Sequence, residues 1–356
     1  MACPRFHGPL LRSVSRSFYL SIRILPARLR EPVALAYLLA RATDTVADTA
    51  RISGTLRAET LQTLSNAIQS KAPPSSIDSL AAASSPVRVA HPSRSTPVGS
   101  IVDLVASFAP LQESGNERAL VESLPGCLEW LEQLSVADRN DVCAVLEKIT
   151  RGQTLDVEYF NDPANVRALA TAADLDQYTF LVAGCVGEFW TRLCFRHLPE
   201  FAELGEPEML DLGKRYGMGL QLINILRDAG SDLRAGRCYF PKDELAAAHM
   251  EPAQIVREPD RFQPIFQKWA EKAERGLAAG MQYSRAIRNR RVRAATVLPA
   301  LIGARTLALL REAGSMVLHR KVKVQRREVR GIIASVAITL AAQSQIEQMF
   351  QRLSKL

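Results

Sequence analysis

Gln221-Leu-Ile-Asn224-Ile-Leu-Arg227-Asp228-Ala-Gly-Ser-Asp232 decides how the rest of this chain is read. Gln221, Asn224, Asp228 and Asp232 follow one another at intervals of three, four and four, so in a helix of 3.6 residues per turn they line one stripe. Leu222, Ile223, Ile225 and Leu226 make the remainder of the segment apolar. A row of amides and carboxylates in an otherwise buried helix needs polar partners. Carboxylates one turn apart can share a divalent cation, and hard oxygen ligands suit Mg²⁺ held between protein and phosphate. A solvated helix face with ordinary acids is the plain alternative.

A second row of the same design argues against that alternative. In Tyr37-Leu-Leu-Ala-Arg41-Ala-Thr-Asp44-Thr-Val-Ala-Asp48 the four numbered residues are spaced four, three and four and again share one face. Arg41 reads either as an intrahelical partner for the acids or as a ligand contact. Its flanks, Leu38, Leu39 and Val46, are those of a buried helix rather than of an exposed ion pair.

The 356 residues can bury a large core, and 47% of them are hydrophobic. Apolar residues recur at helical spacing and seldom alternate strictly, which predicts an all-α protein built as one domain over 1–356. The formal charge of +8 suits nucleic acid, an anionic membrane surface or an anionic small molecule. No nucleic-acid motif or basic run interleaved with aromatics accompanies it, so no nucleic-acid partner is expected. Residues 71–100, rich in Ser, Ala and Pro, read as a loop or disordered insertion between the two rows.

The six scattered cysteines lack a close Cys-x-x-Cys pair, as in a reducing compartment. The amino terminus lacks the apolar core of a signal peptide. The late apolar run Gly331 to Ala342 is shorter than the ~20 residues of a membrane span, so no transmembrane helix is expected. A cytoplasmic protein, peripheral on a membrane or free of it, fits these features. A non-catalytic, membrane-binding helical protein would also explain the charge, but not two acidic rows.

Other stretches carry two readings each. Ser15-Arg16-Ser17-Phe18 is a helix start or a phosphate contact. Ser135 is a capping residue ahead of Val142, Leu146 and Ile149, and that helix runs on to Gln153 and Asp156, which face a site or, as the preferred reading, form a carboxy-terminal polar turn. Tyr178 precedes Val182-Ala183-Gly184-Cys185-Val186-Gly187, whose two glycines suggest close approach of a helix or a ligand. Arg237-Cys-Tyr239-Phe240-Pro241 is a cationic, aromatic exit from the acidic helix, which is expected to end at the proline. Five arginines between Arg285 and Arg293 are a solvated face or a phosphate or cofactor contact.

The two D-x-x-x-D rows, Gln221-x-x-Asn224-x-x-Arg227-Asp228, Tyr178 ahead of Val-Ala-Gly, and Ser-Arg-Ser-Phe together resemble the squalene and phytoene synthase family of head-to-head prenyl synthases, from about Ser15 to about Arg311. Within it the details are most like a soluble, bacterial-type squalene synthase. The resemblance implies a helical isoprenoid synthase bundle in which the rows face each other across a central cavity. Asp44, Asp48, Asp228 and Asp232 are then the Mg²⁺ ligands. Arg16, Ser17, Arg41, Gln221, Asn224, Arg227 and Arg237 would bind the diphosphates of farnesyl diphosphate, Phe18, Phe189 and Trp190 would wall the substrate cation from water, and Tyr178 and Tyr37 would handle the proton. Asn289, Lys323 and Arg326 are the expected NADPH contacts. Alternative outcomes are a presqualene diphosphate, dehydrosqualene or phytoene synthase that uses no reductant.

Overall fold

The computed structural model describes residues 7–15, 18–49, 51–69, 101–339 and 343–355. The expected insertion at 71–100 lies outside them, as do Arg16 and Ser17 and the side chain of Phe18. The described chain is all-α. Its helices are α1 (His7–Ser15), α2 (Phe18–Arg23), α3 (Ala27–Asp48), α4 (Gly54–Gln69), α5 (Ile101–Phe108), α6 (Gly115–Glu122), α7 (Leu124–Gln133) and α8 (Val136–Tyr159). There follow α9 (Ala172–Thr179), α10 (Cys185–His197), α11 (Glu206–Arg234), α12 (Lys242–Ala247), α13 (Pro259–Ala286), α14 (Arg290–Ala313), α15 (Arg326–Thr339) and α16 (Gln343–Ser354). Two two-residue strands, β1 (Arg167–Ala168) and β2 (Arg237–Cys238), pair in parallel.

Local sequence sets several of these limits. Ser135 caps α8, accepting from the Asp138 N–H at 3.2 Å, and Thr171 and Asp174 form a reciprocal capping box on α9. The 29-residue helix α11 begins with Pro207 between Glu206 and Glu208, where a proline costs no hydrogen bond and acids meet the positive end of the helix dipole. It stops at Arg234 rather than running to Pro241. Gly236, at φ +80, turns the chain there, and a side chain at that position would be strained and meet the Asp162 carbonyl.

Two apolar cores hold the bundle. One gathers α3, α4, α8 and α10 around Leu35, Leu39, Leu61, Leu146 and Leu193. The other gathers α11, α13, α14, α15 and α16 around Leu226, Phe266, Trp269, Leu301 and Ile332. Leu35, Leu39 and Leu226 are fully buried, each contributing about 2 kcal/mol by leaving water. α10 crosses α11 at Gly187 and Gly213, where a Cβ on Gly187 would lie 2.0 Å from the Gly213 carbonyl oxygen. That close approach accounts for the glycine by helix packing.

Residues 290–318 are long and apolar enough to cross a membrane, but 78% of their apolar window is buried inside the protein. The packing accounts for them as a core helix. The sequence pointed to Gly331 to Ala342 instead, whose described part belongs to α15, with Ile332 and Val336 buried and Ile338 exposed.

Candidate active site

The first acidic row ends α3. Asp44 and Asp48 occupy its last two turns, with Asp48 as the final helical residue, where the helix dipole disfavours an anion and favours a cation. Arg41 ion-pairs with Asp44 and donates to Glu117 Oε1 at 2.8 Å, which brings α6 to the site. Burial and then the neighbouring Asp48 lift the Asp44 carboxyl to about 6, against the pull of Arg41. Burial likewise raises Asp48, and Arg237 and Arg41 act against it. Asp48 is nonetheless open to solvent, so it stands in a recess within the protein rather than in a core. The Tyr37 hydroxyl donates to the Val14 carbonyl of α1 at 3.4 Å.

The second row lies on α11. Arg227 donates to Asp228 through Nε at 3.2 Å and Nη2 at 2.5 Å, and Lys321 Nζ lies 3.8 Å from Asp228 Oδ1. Asn224 Nδ2 donates to Gln221 Oε1 at 3.2 Å. Burial raises Asp232 to about 6, opposed by Arg237, whose Nη2 donates to Asp232 Oδ1 at 3.0 Å.

Arg237 joins the rows. Burial works against its guanidinium, yet Tyr239, Asp232, Asp156 and Asp48 hold its pKa above the ordinary value. Those acids come from α11, α8 and α3, so this one cation is set among three separate helices. The Tyr239 hydroxyl donates to Asp156 Oδ1 at 2.6 Å, and the ring of Tyr239 stacks on that of Tyr178 with centroids 5.0 Å apart and 22° between planes. Tyr178 closes α9 just before a π-helical turn at Phe180–Gly184, an irregularity frequent at functional sites. Burial, and then Asp156, raise the Tyr178 hydroxyl well above its usual pKa.

Sequence reasoning missed four members of this site. Asp156, assigned to a polar turn, lies in the last turn of α8 but points at Tyr239 and Arg237. Tyr239, noted only as an aromatic, is its hydrogen-bond donor. Glu117 holds Arg41, and no spacing pattern marks it. Arg57 of α4 donates to the Ala47 carbonyl at 2.6 Å, beside Asp48, and its buried Nε finds no partner. Among the remaining expected residues, Asn289 caps α14, accepting from the Arg291 and Val292 N–H groups at 3.0 and 3.2 Å. Lys323 and Arg326 are exposed on the segment that follows Lys321. Of the arginine cluster, Arg293 is buried and donates to the Ile287 carbonyl, while Arg288 pairs with Glu200 and Arg285 with Glu347. The hollow between α13, α14 and α16, lined by Leu277, Ala304, Arg311 and Phe350, contains none of the site residues.

Among the described residues no three His, Cys, Asp or Glu side chains come together as a metal-binding group. Each row offers two carboxylates, the number that suits Mg²⁺ when phosphate oxygens and water complete its shell. The raised pKa values of Asp44, Asp48 and Asp232 and the place of Asp48 against the helix dipole also favour a cation there. The donor set therefore fits Mg²⁺ shared with a polyphosphate.

Residues 11–328 match the family described as squalene/phytoene synthase. The chain belongs to that family. It is 28% identical over 168 residues to the bifunctional lycopene cyclase/phytoene synthase of Arthroderma gypseum, covering 46% of this chain and 28% of that protein. It is 27% identical over 239 residues to the squalene synthase of Eremothecium gossypii, covering 66% of this chain and 45% of that one. The chain thus spans less than half the length of these curated relatives. A ligand complex of TcSQS shares the fold at a TM-score of 0.69 and 20% identity, with 98% of this chain and 97% of that one covered.

Proposed function

We propose that this member of the squalene/phytoene synthase family condenses two farnesyl diphosphates head to head through presqualene diphosphate, and reduces that product to squalene with NADPH. The observation that carries the reading is the meeting of both acidic rows around Arg237. Mg²⁺, held by Asp44, Asp48, Asp228 and Asp232, supplies charge stabilisation to the departing diphosphate. Arg41, Arg227 and Arg237 hold the diphosphate oxygens, with Gln221 and Asn224 as neutral donors; Arg16 and Ser17, outside the described residues, are the further diphosphate contacts the sequence offers.

As the allylic carbon–oxygen bond of one substrate breaks, its electron pair leaves with the diphosphate, and the guanidinium groups are already in place to receive that charge. Phe18, Phe189 and Trp190 are the aromatic side chains the sequence offers to wall the allylic cation from water. The double bond of the second substrate forms the new carbon–carbon bond, and loss of a proton closes the cyclopropane. Tyr178 and Tyr37 are the candidates for passing that proton to the departed diphosphate. NADPH, when bound, supplies the hydride of the second half-reaction. Lys321, Lys323 and Arg326 are the cationic segment suited to its 2′-phosphate, and Lys321 already approaches the second row.

Purified protein incubated with farnesyl diphosphate and Mg²⁺, with and without NADPH, tests this by identification of the lipids formed. Squalene that appears only with NADPH supports the proposal. Farnesyl diphosphate left intact overturns it. The likeness to a bifunctional lycopene cyclase/phytoene synthase favours a second reading, condensation without reduction. That reading requires presqualene diphosphate or dehydrosqualene from farnesyl diphosphate, or phytoene from geranylgeranyl diphosphate supplied in its place, at the same rate whether or not NADPH is present.

A further inference from the structure

The carboxylate of Asp156 belongs to neither acidic row, yet it meets the residue that joins them. Its side chain is 15% exposed. One oxygen accepts the Tyr239 hydroxyl at 2.6 Å, and the other lies 3.8 Å from Arg237 Nη1. Arg237 opens the two-residue strand β2 and Tyr239 directly follows it. Both reach Asp156, while Cys238 between them is buried. A lone buried acid paired with one base would be ordinary structural electrostatics. Here the base is left with unused donors: Nη2 serves Asp232, the Asp156 contact is longer than a hydrogen bond, and Nε is buried without a partner. A guanidinium with donors held free in a charged site suits an anion with several oxygens.

We propose that Asp156 and Tyr239 are positioning residues that hold the Arg237 guanidinium between the two acidic rows, with its free donors turned to the diphosphate of the substrate. The inference deepens the reading under Proposed function and rests on it for the identity of that diphosphate. Asp156 draws Nη1 away from α11. Without that pull the guanidinium closes onto Asp232 as a two-bonded pair, and an arginine and an acid of the second row are withdrawn from the ligand together. Tyr239 fixes the orientation of the Asp156 carboxylate, and its stacked ring sets that of Tyr178.

The test measures binding of inorganic pyrophosphate in the presence of Mg²⁺ by calorimetry, together with KM and kcat for farnesyl diphosphate. It uses the wild-type chain, Tyr239→Phe, Asp156→Asn, Arg237→Lys and the double variant Asp156→Asn/Arg237→Lys. Tyr239→Phe keeps the ring stack and removes one hydroxyl, so it serves where Asp156→Asn fails to fold. Expected are a loss of about tenfold in pyrophosphate affinity and a matching rise in KM for Tyr239→Phe and Asp156→Asn, with kcat changed less. The double variant is expected to be no weaker than Arg237→Lys alone, because residues acting through one group are not additive. Lowered melting temperatures with wild-type affinity and KM, or losses that add in the double variant, overturn the inference. Pyrophosphate binding does not depend on which lipid is made. A wild-type chain that binds pyrophosphate but leaves farnesyl diphosphate intact therefore overturns the proposed function alone, and one that binds neither overturns both.

Discussion

Asp48 and Asp228 stand on different helices and share one proposed task, holding Mg²⁺, which makes them the sharpest residues to change. Asp48→Asn and Asp228→Asn keep side-chain size but replace an anionic ligand oxygen with a neutral one, so each is expected to lower turnover by at least about a hundredfold with unchanged helical circular dichroism. Activity near wild type in either variant removes the metal assignment. Asp44 and Asp232 add a pH dependence. Burial lifts both from 3.8 to about 6, so between those values the folded chain holds protons that the unfolded chain has released. Their contribution to stability is therefore full below about 4 and is lost as pH rises through about 6. The amide of Asp44→Asn does not titrate, so melting curves from pH 4 to pH 7.5 should show the variant gaining on the wild type across that window. A constant difference contradicts the assignment. The rows were legible from sequence because repeated spacing of four marks a helix face. Asp156 was not, because a single acid in a last turn has an ordinary explanation and its partner Tyr239 lies 83 residues away.

The helices that carry these residues are placed by close crossings. Gly184 and Gly187 showed in the sequence as a small-residue pair, but nothing local identified Gly213 as the surface Gly187 meets. Gly187→Ala would put a methyl 2.0 Å from the Gly213 carbonyl oxygen, and backbone cannot step aside as a side-chain tip can. Overpacking of this kind costs about 1–3 kcal/mol or more, so a clear fall in melting temperature is expected, with α10 and α11 forced apart. A variant as stable as the wild type would mean that the two helices cross elsewhere. Helix type and helix faces were readable from apolar spacing. The end of α11 was not, because Pro241 is the obvious breaker while the chain turns earlier, at Gly236. That turn is what lets β2 swing Arg237 back to Asp232 and onward to Asp156.

Across the whole molecule, the first row is borne by a helix of one core and the second by a helix of the other. Like charges gathered where two cores meet work against the folded chain, and Arg41, Arg227 and Arg237 offset this only in part, since Asp44 and Asp232, buried and beside a second acid, keep raised pKa values. A cation alone finds two carboxylates per row, too few to fill its shell, and pyrophosphate alone meets four acids. Bound together they satisfy each other and both rows. Mg²⁺ with pyrophosphate should therefore raise the melting temperature where neither does so alone. At a hundredfold excess over Kd the stabilisation is about 2.7 kcal/mol, a rise of several degrees for a chain of this size. Asp228→Asn should abolish most of that rise, and because it also takes a partner from Arg227 and Lys321 the comparison is of the ligand-induced shift rather than of the ligand-free melting temperature. A full shift from Mg²⁺ alone would place the cation in a site of protein ligands only. Retention of the shift in Asp228→Asn would place it away from α11.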